Sequence, residues 1–157
     1  MKKPKWMIYA GCIVGTLLLG FLSSFFVSAG MDYKILQKPP LSPPGAVFPI
    51  AWSILYILMG ISLALVLLAP GGRDKSAALK IYAVQLAVNL LWPFFFFTLG
   101  WYFFSFLWLC LLWVLILATI LSFQKISPRA AWLLVPYLLW VTFAGYLNLG
   151  IALLNKF

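Results

Sequence analysis

Apolar positions fall in five long runs, separated by short breaks that carry Pro, Gly, Lys or Arg: Trp6 to Val27, Ala46 to Ala69, Leu79 to Leu99, Trp101 to Phe123 and Ala131 to Leu154. Each is about 20 residues or longer, and at about 1.5 Å rise per residue a helix of that length crosses the ~30 Å hydrocarbon core of a bilayer. No run alternates strictly between apolar and polar residues over strand-length segments, as a membrane β-barrel would require. The pattern therefore predicts an all-α membrane protein: a five-transmembrane-helix bundle that forms one domain over residues 1–157. The first run follows Lys2, Lys3 and Lys5 much as the core of a signal peptide would. It is longer than the usual ~7–15 residues of such a core and ends in no small-x-small cleavage site, so it is expected to stay as a helix.

The breaks differ in kind. Leu99-Gly100-Trp101 is a tight turn, and two short connections run from Pro70 to Ser76 and from Gln124 to Arg129. Between the first two runs lies a loop of about 18 residues, Ser28 to Gly45, which holds Pro39, Pro40, Pro43 and Pro44. Proline fixes φ and lowers the entropy lost on ordering, so this loop reads as a structured lid, with Ile35 and Leu36 expected to anchor it to the bundle.

Hydrophobic residues make up 66% of the chain and charged ones 8%, which leaves too little polar surface for a soluble domain of this size. The net charge of +9 would suggest nucleic acid in a soluble protein. Here the cations stand at run ends and in loops, where they set topology and meet lipid headgroups, so no nucleic-acid partner is expected. With the N-terminus inside, the inner segments hold Lys2, Lys3, Lys5, Arg73, Lys75, Lys80, Lys125 and Arg129, and the outer ones Lys34, Lys38 and Lys156. That asymmetry predicts the N-terminus inside and the C-terminus outside.

Catalytic groups are scarce. There is no histidine, the two cysteines (Cys12 and Cys110) are far apart, and both acidic residues (Asp32 and Asp74) lie in breaks. No metal site, catalytic triad or intramembrane carboxylate pair is therefore expected. Chemistry would have to come from a bound ligand.

The informative polar positions lie inside the runs, where a polar side chain is expensive. Gln85, Asn89 and Trp92 share one helical face, as do Tyr137, Trp140, Ala144 and Asn148, and Trp52 and Tyr56 share a third. Aromatic plates with amides beside them suit a flat hydrophobic ligand that has a few polar atoms. The plainer alternative is that the amides join helices and the rings pack or line the interface. Phe94 to Phe97 and Trp108 are assigned to packing, Trp108 towards lipid. Gly11 with Gly15, and Ala83 with Ala87, mark faces where helices could approach closely, within the bundle or between protomers.

Three stretches, Tyr33 to Gly60, Gln85 to Phe96 and Val135 to Asn148, contain KP-x3-PP, AW-x3-Y, QL-x2-N-x2-WP and PY-x2-W-x7-N in that order. This combination resembles the tryptophan-rich sensory protein / translocator protein family, the TspO/MBR proteins also called peripheral-type benzodiazepine receptors, in its bacterial form. The resemblance implies a five-helix bundle, usually a homodimer, in a bacterial cell membrane, with a ligand pocket beneath the long first loop. It implies protoporphyrin IX as a ligand rather than a covalent cofactor, together with isoquinoline carboxamide and benzodiazepine-type molecules. Carried over position by position, the pocket would comprise Tyr33, Trp52, Tyr56, Asn89, Trp92, Trp140 and Ala144; Tyr137 and Asn148, on the same face as Trp140 and Ala144, complete the expected ligand-binding set. Similarity to bacterial members further implies light-dependent porphyrin breakdown, with Trp52 and Trp140 as candidate catalytic residues; transport of tetrapyrroles is the alternative. Two departures stand out: Asp32 occupies a position that is aromatic in many relatives, and Tyr146 is followed by no basic residue before Lys156, which argues against cholesterol as a partner.

Overall fold

The computed structural model describes residues 4–25 and 33–155. The elements are α1 (Lys5–Ser23), a single 3-10 turn (Tyr33–Ile35), α2 (Val47–Leu68), α3 (Arg73–Pro93), α4 (Tyr102–Gln124), the short α5 (Pro128–Leu133) and α6 (Val135–Leu154). A π-helical segment, Phe94–Thr98, continues α3. Among the described residues, five stretches are long and apolar enough to cross a membrane: Lys5–Ser23, Val47–Leu68, Arg73–Thr98, Tyr102–Gln124 and Pro128–Leu154. The protein is an integral membrane protein, and no strand occurs among the described residues.

Three boundaries depart from the hydropathy pattern, each for a local reason. The third span begins at Arg73 rather than Leu79, so the basic break is helical. Lys75 Nζ donates to Leu67 O and Ala69 O at 2.8 Å each, satisfying carbonyls that α2 leaves open at its end. The same span ends in a π segment because Pro93 offers no N–H; the register slips, with Leu99 N donating to Phe94 O at 3.0 Å. Gly100, at φ 66°, then turns the chain into α4 in a left-handed conformation that costs glycine little. The fifth run, expected as one helix, is two. Pro136 has no N–H for the carbonyl of Trp132, so α5 stops and α6 restarts with Leu138 N on Leu134 O at 3.1 Å. The expected end of the first helix at Val27, and Lys2, Lys3, Asp32 and Lys156, lie outside the described residues.

In lipid, helices associate through close packing and polar contacts rather than by hiding from water. α1 packs chiefly on α2. Gly60 lets it approach, since a Cβ there would stand 2.6 Å from Ile13 Cα, and Thr16 Oγ1 donates to Tyr56 O at 2.7 Å. α4 lies between α3 and α6, while α5 packs on α2 through Ser62 Oγ, which donates to Ala130 O at 2.8 Å. This half is filled by Met59, Val66, Leu112, Ile116, Phe123 and Leu134, all buried. At the other end α1 touches α3 sparingly, chiefly where Ser23 Oγ donates to Leu90 O at 2.8 Å. The small-residue faces read from the sequence are not the seams inside the bundle. A Cβ on Gly11 or Gly15 would meet nothing within 4 Å, and Ala83 and Ala87 are exposed.

Candidate ligand cavity beneath the first loop

At the lid end the bundle encloses a cavity of about 990 Å³ between α1, α2, α3 and α6. α2 contributes Trp52 and Tyr56, one turn apart and stacked with centroids 5.7 Å apart. α3 contributes Asn89 and Trp92, and α6 contributes Ala144 and Asn148. Tyr33 closes the cavity from the lid, edge-on to Phe48 at 5.1 Å. Seven of the nine residues expected at the pocket thus line one cavity. The other two stand behind its wall: Tyr137 is buried and edge-on to Trp52 at 6.3 Å, and Trp140 is edge-on to Trp52 at 6.5 Å.

The polar groups are tied to one another. Tyr56 Oη donates to Asn89 Oδ1 at 3.0 Å, Asn89 Nδ2 donates to Tyr137 Oη, and Tyr137 Oη donates to Gln85 Oε1 at 2.8 Å. Gln85, Asn89 and Tyr137 are each at most 3% exposed, so this chain from α2 through α3 to α6 lies fully inside the apolar bundle. Nearer the lid, Trp92 Nε1 donates to Asn148 Oδ1 at 2.9 Å and Asn148 Nδ2 donates to Tyr102 O at 2.7 Å. Asn89 and Asn148 therefore join helices and also line the cavity, so the two readings of them are compatible, whereas Gln85 only joins α3 to α6. Gln85 Nε2 and Trp140 Nε1 are buried without a hydrogen-bond partner among the described residues.

Hydropathy gave no sign that α1 forms a wall. Leu17, Gly20 and Phe21 line the cavity, and the Tyr56 ring occupies the place a Cβ on Gly20 would take. Phe96, expected only to pack, also lines it and stacks on Trp92 at 5.0 Å. Trp108, assigned to packing towards lipid, also bonds within the bundle. It is half-buried, with Nε1 donating to Val88 O at 2.7 Å across the α3–α4 seam.

The lid is docked. Leu36 is buried against Phe96, Tyr102 and Ile151, whereas Ile35 points away and is 72% exposed. The Asn155 side chain pairs with the Gln37 backbone in both directions, accepting from its N–H at 3.0 Å and donating to its C=O at 2.7 Å. Tyr146 Oη donates to Pro40 O at 2.7 Å, and the Pro39 ring sits on the bare Cα of Gly150. Lys38 Nζ lies 4.7 Å from the centre of the Tyr33 ring. Burial pushes the Tyr33 phenol above its ordinary pKa, a hydrogen bond with Ser42 partly opposing this, so it stays a neutral donor near pH 7.

A model of the TspO/MBR family matches residues 12–154. The chain is 40% identical to the tryptophan-rich protein TspO of Chlorobaculum tepidum over 147 residues, covering 92% of this chain and 93% of the relative. It is 40% identical to the protein CrtK of Rhodobacter capsulatus over 149 residues (94% and 92%). The match to the translocator protein of Bos taurus is 38% identical over 152 residues (92% and 88%).

Proposed function

The chain belongs to the TspO/MBR family, and from that premise we propose that it is a membrane receptor or sensor whose cavity binds a flat tetrapyrrole of the protoporphyrin IX class. Isoquinoline carboxamide and benzodiazepine-type molecules would enter the same cavity. The observation that carries this reading is the cavity itself: about 990 Å³, walled by Trp52, Tyr56, Trp92 and Phe96, with Asn89 and Asn148 as fixed polar points. Ligand pockets span roughly 300–1,000 Å³, so this one has room for a large ligand. Rings held in place by other rings and by hydrogen bonds lose little entropy on binding. Titration of protoporphyrin IX into the purified protein tests the proposal. A saturable Soret shift with quenching of tryptophan fluorescence is expected, both diminished in Trp52→Ala. No saturable shift, or a shift untouched by that substitution, would refute it.

A photochemical role is a second reading, favoured by the edge-on pair of Trp52 and Trp140 at one wall. A bound porphyrin would supply light absorption and activation of O2. Trp52 would be the indole in contact with it and Trp140 the one behind, both able to give up an electron. Illumination in air should then yield a discrete product lost in Trp52→Phe, and bleaching equal to that in buffer counts against the chemistry. Transport would need vectorial uptake into proteoliposomes. The homodimer implied by the family belongs to the same reading, and crosslinking in the bilayer tests it.

A further inference from the structure

At the end of the bundle opposite the lid lies a second recess of about 400 Å³, walled by the α2–α3 turn and the first residues of α3 (Pro70 to Lys75) and by Lys125 and Ile126 after α4. The start of α3 and the end of α4, distant in sequence, bring Arg73, Lys75 and Lys125 to this one place against a single carboxylate, Asp74, a formal balance of three minus one, or +2. Lys75 spends two of its three N–H donors on Leu67 O and Ala69 O, which fixes its charge at the rim and leaves one donor over. Among the described residues, the side chains of Arg73 and Lys125 have no ion pair or hydrogen-bond partner. The recess stands where α2 and α4 end and α3 begins, and all three are spans, so it lies at the depth of lipid headgroups.

We propose that this recess receives the phosphate of an anionic phospholipid headgroup. Cations needed only for topology can sit anywhere on a loop and are best spread apart. Convergence of two unpartnered cations and a tethered lysine on one concave site sets like charges together, a cost that a phosphodiester offsets. Arg73 supplies a planar fork suited to phosphate oxygens, with Lys125 and Lys75 acting as point charges on either side. Free phosphate has the same chemistry, but the position at the membrane boundary favours the lipid, which is already concentrated there.

The test uses the full chain in nanodiscs of phosphatidylcholine with a minority of phosphatidylglycerol, counting retained lipids by native mass spectrometry. The wild type should retain phosphatidylglycerol in preference to phosphatidylcholine. That preference should fall on the order of tenfold in the Arg73→Gln/Lys125→Gln double variant and hold in Lys80→Gln, whose exposed cation lies outside the recess. Asp74→Asn should raise it, a gain that misfolding cannot mimic. The proposal is overturned if the double variant keeps its preference, if Lys80→Gln loses as much, or if Asp74→Asn brings no gain. Displacement of the lipid by millimolar inorganic phosphate would overturn it as well, making the recess a free-anion site.

Discussion

Trp52 and Trp140 look alike in the sequence, each one turn from a tyrosine or a small residue, yet only Trp52 lines the cavity while Trp140 backs it. Replacing Trp52 with Ala should weaken protoporphyrin IX binding by about 1–3 kcal/mol, the range for a buried aromatic anchor. Trp140→Ala should cost less, since it lets Trp52 rock without removing a contact. Calorimetric titration of both variants checks the order, and an equal or larger loss at Trp140 would mean the ring turns towards the ligand. Tyr137 tests a different physics. Tyr137→Phe deprives Asn89 Nδ2 of its acceptor and Gln85 Oε1 of its donor, deep in the bundle. The expected cost is about 1–3 kcal/mol of stability, read as a lower melting temperature in detergent, with a smaller change in affinity. The sequence placed Gln85, Asn89 and Tyr137 on inward faces because helical periodicity fixes which residues share a stripe. It did not say that they would bond to one another, because that depends on how three helices are rotated about their own axes.

Between elements, the lid illustrates the same division. Its prolines announced a pre-set shape, but the means of docking, Asn155 on Gln37, Tyr146 on Pro40 and Pro39 on Gly150, joins residues more than a hundred positions apart. Asn155→Ala should raise the ligand off-rate several-fold and expose the loop to protease while helix content holds. Pro40, Pro43 and Pro44 changed together to Ala should do the same through entropy. Stopped-flow dissociation with limited proteolysis measures both, and rates and cleavage unchanged in both variants would show that the loop is no gate. The α1–α2 seam turns on Gly60. A large side chain there, as in Gly60→Leu, meets the Ile13 backbone and should lower the melting temperature far more than Gly11→Leu, which faces open space.

Across the whole molecule, α1 is the least buried of the spans: it leans on α2 and barely meets α3, with the cavity between them. Filling that cavity should bridge the two. Amides from Leu17 to Ser23 should therefore gain more exchange protection on ligand binding than those of α4, and uniform protection across the bundle would speak against a ligand seated there. What the sequence determined by itself is the solvent, the number of spans and the inward stripes of α2, α3 and α6. Bilayer thickness and the need to satisfy every backbone hydrogen bond leave a long apolar run almost no alternative to a helix. The proline-driven breaks, at Leu134 and after Pro93, are local as well, although hydropathy averaged them away. Only the tertiary structure decided that Gly20 and Phe21 of α1 complete the wall and that Trp108 is tethered to α3. It alone decided that Trp140 stands behind Trp52 and that Arg73 and Lys125 line one recess. Each of these depends on crossing angles and helix rotations, which arise from packing summed over many side chains at once, and no single stretch of chain encodes them.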